Sequence, residues 1–309
     1  MSLYLTVDGG TTNTRLSLTD GKVILARRVY PVGAGAAGAK ERLSETLREG
    51  IPAVLADAGR SARDITRVLA SGMITSEFGL YPLPHVPAPA GIRELHESMA
   101  EVALPDIFPV PFVFIRGVKI VGEDFSRTDM MRGEETELYG IRDPRDGEGV
   151  LYVLPGSHSK IIATDGEGRI ADFTTLLTGE MLAALAQGTI LRHAVTLGDR
   201  APEESLLAGF DFCREHGLNE TLFKVRIRKN LFGAGADDLY AFFLGAVLCG
   251  EVMEILRRHP RRVVLSGRRQ LREATAALLR RRGTCEVTDV PDEISDAATA
   301  RGAVRIFEG

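Results

Sequence analysis

The sequence predicts an α/β protein of two domains, each opening on an antiparallel meander of three short strands. Three observations carry this. The chain has 309 residues, enough for about two domains at ~150 residues apiece. Its composition, 44% hydrophobic and 26% charged, suits a chain that buries substantial cores. One pattern also occurs twice, at residues 3–29 and 150–175: an apolar strand, a turn of glycine and hydroxyl residues, a short strand, then Asp-Gly opening a hairpin into a third strand. From Gly10 to Asp20 is ten positions and from Gly156 to Asp165 nine, the near-constant spacing expected of an internal duplication. Unrelated meanders can share such a pattern, since the matching identities are few. The boundary is placed to give domains at 1–142 and 143–309.

In chain order, residues 3–8, 15–19 and 22–29 read as strands, with Asp20-Gly21 as the tight turn between the last two. Residues 38–57 carry apolar positions at helical spacing (Leu43, Leu47, Ile51, Val54, Leu55), and Pro52 is expected to kink or divide that helix. A short strand at 67–70 leads into "SGMITSEFGL" at 71–80, and the proline-rich stretch 81–111 reads as irregular with a helix near 93–102. "DMMRGEETELYGI" at 129–141 predicts a helix starting at Gly133 or Glu134. The second meander follows as strands 150–154, 161–164 and 169–175, with turns at 155–160 and Asp165-Gly166. Residues 240–256, "YAFFLGAVLCGEVMEIL", form a long apolar helix expected in the core. Residues 261–283 read as strand, Ser266-Gly267 turn and helix, and 296–307 as a closing helix capped by Asp296 or Ser295.

Several function classes are disfavoured. A net charge of -4, with arginines in short scattered groups, does not supply the clustered basic surface that nucleic-acid backbones require. Arg280-Arg281-Arg282 instead suits the carbonyl end of a helix. The first residues lack the basic start and long apolar core of a signal peptide, and no apolar run is read as a membrane span. Three cysteines far apart in sequence (Cys213, Cys249, Cys285) suit reduced thiols and a cytoplasmic location. The six histidines show no metal-ligand spacing. A homodimer is compatible with all of this.

The two glycine-hydroxyl turns carry the functional argument. A phosphate has several acceptor oxygens, and a loop with exposed N–H groups, hydroxyls and glycine can approach it closely. Gly10, Thr11, Thr12 and Asn13 qualify in the first turn, and Gly156, Ser157, His158, Ser159 and Lys160 in the second. Neither is a P-loop, because the chain has no G-x-x-x-x-G-K-[ST] and each turn joins two strands. Two such turns on duplicated domains could hold one polyphosphate from both sides. Asp8, ending the first strand, would orient Mg²⁺ through its water shell; its plainer reading is a turn cap. Glu134 opens a helix directly before the second meander. A carboxylate there suits the helix dipole, and it is also placed to accept the proton of an attacking hydroxyl, with Glu135 as the neighbour that holds the substrate. Gly267, where a strand yields to a helix, is a candidate adenine contact or else a plain connection.

With those residues in place, the chain resembles the 2-dehydro-3-deoxygalactonokinase family over nearly its whole length. The carrying motifs are "VDGGTTNTR" at 7–15, "SGMITSEFG" at 71–79, "MRGEETELYG" at 131–140, "LPGSHSK" at 154–160 and "TTLLTGE" at 174–180. The resemblance implies the two-domain actin-like ATPase (ribonuclease H-like) fold with a central ATP cleft. It also implies ATP and Mg²⁺ as cofactors, and phosphorylation of the terminal (6-) hydroxyl of the sugar acid 2-dehydro-3-deoxy-D-galactonate. Larger carbohydrate kinases of the FGGY type place a catalytic Asp after a glycine at a helix start, and Gly133-Glu134 has that place with Glu for Asp. The chain departs from related kinases in having Gly9 where an aromatic is frequent, in lacking Trp, and in following Gly267 with Arg268-Arg269 in place of a second glycine. For the substrate carboxylate, Arg15 and Arg132 are the expected donors, since a guanidinium makes two hydrogen bonds to a carboxylate; the alternative for each is a structural ion pair. Ser71, Met73 and Ser76 are expected to line the sugar pocket, with Thr178 and Glu180 approaching it from the second domain. Lys160 adds charge near the transferred phosphate or is a solvated strand residue. Competing readings are a kinase for a neutral sugar or another keto-deoxy acid, such as the gluconate epimer, and a nucleotide-dependent switch.

Overall fold

The structure, a computed structural model, describes residues 2–35 and 38–309. The first meander is β1 (Leu3–Gly9), β2 (Thr14–Thr19) and β3 (Ile24–Tyr30). Asp20 closes the β2–β3 turn by accepting from the N–H groups of Lys22 and Val23, both at 2.9 Å. Helix α1 (Ala39–Asp57) then runs continuously through Pro52, so the helix is not divided there. Pro52 lies on the exposed face while Leu43, Leu47, Ile51, Val54 and Leu55 are buried on the other. Packing of that stripe therefore outweighs one lost backbone hydrogen bond.

Next come β4 (Ile65–Gly72), β5 (Val86–Pro87), α2 (Ile92–Glu97), β6 (Ala100–Val102), β7 (Phe112–Phe114), β8 (Val118–Ile120), β9 (Asp129–Met131) and α3 (Glu134–Ile141). The helix expected near 93–102 stops at Glu97, because residues 100–102 pair antiparallel with β7, a tertiary pairing that local pattern does not encode. The second meander is β10 (Val150–Leu154), β11 (Ser159–Thr164) and β12 (Ile170–Leu176). After it follow α4 (Thr178–Gly188), α5 (Glu203–His216), α6 (Leu218–Phe232), α7 (Ala236–Arg257), β13 (Arg262–Leu265), α8 (Arg269–Arg282), β14 (Glu286–Asp289) and α9 (Asp292–Glu308). The closing helix thus begins at Asp292 and not at the expected 296, with Asp292 and Glu293 as the acids of its first turn.

The chain divides into two compact units. Unit 1 takes the chain up to Gly147, then Thr164–Phe173 and Asp292–Gly309; unit 2 takes Glu148–Ala163 and Thr174–Pro291. The six-stranded sheet, in unit 1, has the order β3-β2-β1-β4-β7-β6; the five-stranded sheet has the order β12-β11-β10-β13-β14 and lies in unit 2 except for Thr164 of β11 and Ile170–Phe173 of β12, which fall in unit 1. In unit 1, β2 runs antiparallel to β1 and β4 parallel to it; in unit 2, β11 and β13 stand in the same relation to β10. Five strands match in order, so the duplicated α/β fold is present. A third, small sheet has the order β5-β8-β9.

The core of unit 1 sets Val7, Leu16 and Leu18 of its sheet against Leu47, Ile51 and Val54 of α1. In unit 2 the core is organised on α7, from Leu239 to Ile255, packed against Leu206 and Phe210 of α5 and Val153, Val263 and Leu265 of the sheet. By length and composition α7 could cross a membrane, which the sequence reading had not expected; 78% of its most apolar window is buried inside the fold. A helix apolar all round is one surrounded on every side.

Candidate functional site

In each unit the candidate residues gather where two neighbouring parallel strands end, the place at which open α/β sheets bind ligands. In unit 1 these strands are β1 and β4, with Asp8 opposite Ser71 and Gly9 opposite Gly72. The turn after β1 is closed by Gly10 N–H donating to Asn13 O at 2.8 Å, and Ala34 N–H, from the segment after β3, donates to Gly10 O at 3.1 Å. Thr11 and Thr12 are exposed and Asn13 half-buried, so the hydroxyls expected to meet phosphate do face outward. Gly9 is fixed by packing: a Cβ there would stand 2.8 Å from Ile74 Cβ, which accounts for the missing aromatic. Asp8 is bound by Arg15 of the adjacent strand at 2.8 Å, with the arginine side chain 52% exposed.

The start of α3 is brought to the same strand ends by glycine. Gly133 has φ 114, and a Cβ on it would lie 3.2 Å from Gly72 Cα. This seats Glu134, half-buried, beside the end of β4; its Oε2 accepts from Arg132 N–H at 3.1 Å. Glu135 has a different place from the one expected. It is fully buried, both its oxygens accept from Gly133 N–H at 2.9 and 2.8 Å, and Thr136 Oγ1 donates to it at 3.2 Å. Burial first, and the neighbouring Glu134 charge second, push its carboxyl up to about 8. It braces the helix start and presents no surface to a substrate. Arg132 is likewise turned inward: Nη1 donates to Thr75 O (2.8 Å) and Thr75 Oγ1 (2.6 Å), and Nη2 to Leu83 O (3.1 Å) and His85 Nδ1 (3.3 Å). Burial, and then the charges of Arg132 and Lys119, lower His85 to about 4, so a neutral imidazole accepts there. Arg132 therefore ties the approach to α3 onto the 75–85 segment. Ser71 is buried, Ser76 gives its hydroxyl to Met73 O at 2.7 Å, and Met73 is the half-buried member of that trio.

In unit 2 the corresponding strands are β10 and β13. The turn between β10 and β11 is drawn together by Gly156 N–H and Ser159 Oγ at 3.4 Å. Ser157 is exposed and His158 half-buried. Lys160 is buried, with Nζ donating to His158 O at 3.2 Å, so its charge lies against the turn and not in solvent. Gly267 has φ 97, a Cβ on it would stand 2.7 Å from Pro155 O, and Arg268 N–H donates to that carbonyl at 2.8 Å. The Ser-Gly turn is thus packed beside the 155–160 turn.

The "TTLLTGE" motif is also built into this turn, and Thr178, expected to approach the sugar pocket, is instead buried. Gly179 rests so close to Gly156 O that a Cβ would be 2.2 Å away. Glu180 N–H donates to Ser157 O at 3.1 Å, and its Oε2 meets His158 Nε2 at 2.8 Å. Thr178 Oγ1 donates to Glu251 Oε2 at 2.5 Å. Sequence reasoning missed Glu251, although an acid inside "GAVLCGEVMEIL" was the signal that could have found it. Among the described residues no three or more His, Cys, Asp or Glu side chains gather to hold a metal ion. A lone Asp8 fits a magnesium ion that keeps most of its waters.

A family model described as 2-keto-3-deoxy-galactonokinase matches residues 8–306. The chain is 29% identical over 255 residues to the 2-dehydro-3-deoxygalactonokinase of Escherichia coli (strain K12), covering 81% of this chain and 79% of that protein. Among solved structures it is similar to a candidate 2-dehydro-3-deoxygalactonokinase from Sinorhizobium meliloti, with TM-score 0.80, 25% identity and 98% and 99% of the two chains covered. It shares its fold with the activator of the 2-hydroxyisocaproyl-CoA dehydratase from Clostridium difficile, at TM-score 0.54 and 14% identity over 99% and 94% of the chains.

Proposed function

The chain belongs to the 2-keto-3-deoxy-galactonokinase family, and on that premise we propose that it phosphorylates the terminal (6-) hydroxyl of 2-dehydro-3-deoxy-D-galactonate with ATP and Mg²⁺. The observation that carries the mechanism is the seating of Gly133 on Gly72, which sets Glu134 at the strand ends that also bear Asp8 and the first turn. ATP with Mg²⁺ supplies the transferable phosphoryl group and neutralises its developing charge. Glu134 accepts the proton of the substrate hydroxyl as that oxygen bonds to phosphorus and the bond to the ADP oxygen breaks. Exposed Thr11, Thr12 and Ser157 offer hydroxyls to phosphate oxygens, and Asp8 orients the metal's water shell. Gly267 supports the adenosine beside Pro155. Arg15, the half-exposed one of the two arginines, releases Asp8 to take the substrate carboxylate. The three cysteines are free thiols, in keeping with a reducing, cytoplasmic setting.

A coupled assay of ADP release with 2-dehydro-3-deoxy-D-galactonate tests the reading, and no turnover in the presence of ATP and Mg²⁺ would defeat it. Glu134→Gln should fold and bind both ligands while kcat drops by about 10²–10⁴. A variant with near-normal kcat would remove Glu134 as the base.

A further inference from the structure

Glu251 stands in the middle of α7, the most apolar helix of the chain, and is 2% exposed. Its Oε2 takes the Thr178 hydroxyl at 2.5 Å, the Ser159 hydroxyl also bonds to its carboxyl, and its Oε1 is buried with no partner among the described residues. Among the described residues no cation pairs with it, and burial raises its pKa. A core position of this kind is better filled by a hydrocarbon side chain, since a half-satisfied buried acid destabilises the fold. The two hydroxyls it holds show what it does instead. Ser159 opens β11 and draws in Gly156 N–H. Thr178 opens α4, whose next two residues lie against Gly156 O and Ser157 O. A single acid on the core helix therefore fastens both margins of the 156–159 turn.

We propose that Glu251 is a positioning residue for nucleotide binding, holding the second phosphate turn in its binding shape through Ser159 and Thr178. The inference rests on the kinase reading above. It requires that loosening the turn weaken nucleotide capture without touching the proton transfer, which belongs to Glu134 in unit 1. Glu251→Leu fills the volume and removes the acceptor; Glu251→Gln keeps a neutral acceptor of the same shape; Thr178→Val removes the donor.

The experiment measures ADP binding by calorimetry, KM for ATP, KM for the sugar acid, kcat and melting temperature for the wild type and these variants. Glu251→Leu and Thr178→Val should each raise Kd for ADP and KM for ATP by about tenfold or more, the loss of one buried hydrogen bond. KM for the sugar acid and kcat at saturating ATP should stay within about threefold. Glu251→Gln should restore most of the ATP affinity, and the Thr178→Val, Glu251→Leu double variant should be no weaker than the worse single one, as residues on one path behave. Should Glu251→Leu not fold, Thr178→Val and Glu251→Gln still decide the matter. ATP affinities equal to wild type overturn the proposal, as does a rise in KM for ATP matched by an equal rise for the sugar acid. A wild-type protein that neither binds ADP nor consumes ATP overturns the kinase reading and this inference with it, whereas a working wild type with indifferent variants overturns this inference alone.

Discussion

Glu134 and Glu135 are neighbours in the chain with opposite surroundings, and this gives them different chemistry. Glu134 keeps access to the strand ends, while Glu135 is sealed beneath the helix start with its carboxyl raised to about 8. A carboxyl raised from an ordinary 4.5 binds its proton in the folded protein over a range where the unfolded chain has lost it. Its stabilising effect is therefore complete below about pH 4.5 and is lost as pH rises to about 8, with a slope of at most ~1.4 kcal/mol per pH unit. Glu135→Gln should flatten the fall in denaturant stability across that window, and a wild-type slope retained in the variant would assign the effect elsewhere. For Arg15, replacement by Ala should raise KM for the sugar acid about tenfold and change stability little, because its pair with Asp8 is half-exposed; an unchanged KM would send the carboxylate site elsewhere. The sequence allowed a carboxylate ligand and a structural brace equally for both arginines. Arg132 became a brace because Thr75, Leu83 and His85 converge on it from residues far away in the chain, and no local pattern records such convergence.

Helix α3 carries the proposed base, and two glycines set its height. A Cβ on Gly140 would come 1.8 Å from Ala298 O, and one on Gly302 would come 1.8 Å from Thr136 O, so α3 and α9 cross with their backbones in contact. Arg305 of α9 then donates to Tyr139 O at 2.8 Å and Arg142 O at 3.2 Å, satisfying carbonyls at the C-terminal end of α3. Gly302→Ala must push the helices apart. It should cost about 1–3 kcal/mol of stability, and because α3 moves it should also lower kcat; a melting temperature and kcat equal to wild type would show that the crossing relaxes freely. The start of α3 was legible because glycine followed by acids is a strong local sign. Helices α5 and α6 were not read. In α5 an apolar stripe of Leu206, Phe210 and Cys213 was present and overlooked among Ser205 and Gly209. Helix α6 buries only Thr221 and Val225 while Phe223, Leu231 and Phe232 are exposed, so it carries no apolar period to read.

For the molecule as a whole, the duplication was legible because each copy lies within one continuous stretch of about 25 residues, the range over which sequence patterns work. The membership of the units was not, because α9 returns to unit 1 after all of unit 2 has been passed. Packing of α9 against α3, α2, β1 and β4 determines that. Removal of residues 292–309 should therefore strip hydrogen-exchange protection from α3 and the sheet of unit 1 while the α7 core of unit 2 stays protected. Equal loss in both units would contradict the division. The same interleaving orders events at the ribosome. Residues 174–291 leave the exit tunnel before α9 does, so a nascent chain can assemble the core around α7 while the glycine face of α3 is still waiting for its partner. Helix α3 then waits on α9, and a polypeptide stalled before residue 292 would carry a formed unit 2 and an unfinished unit 1.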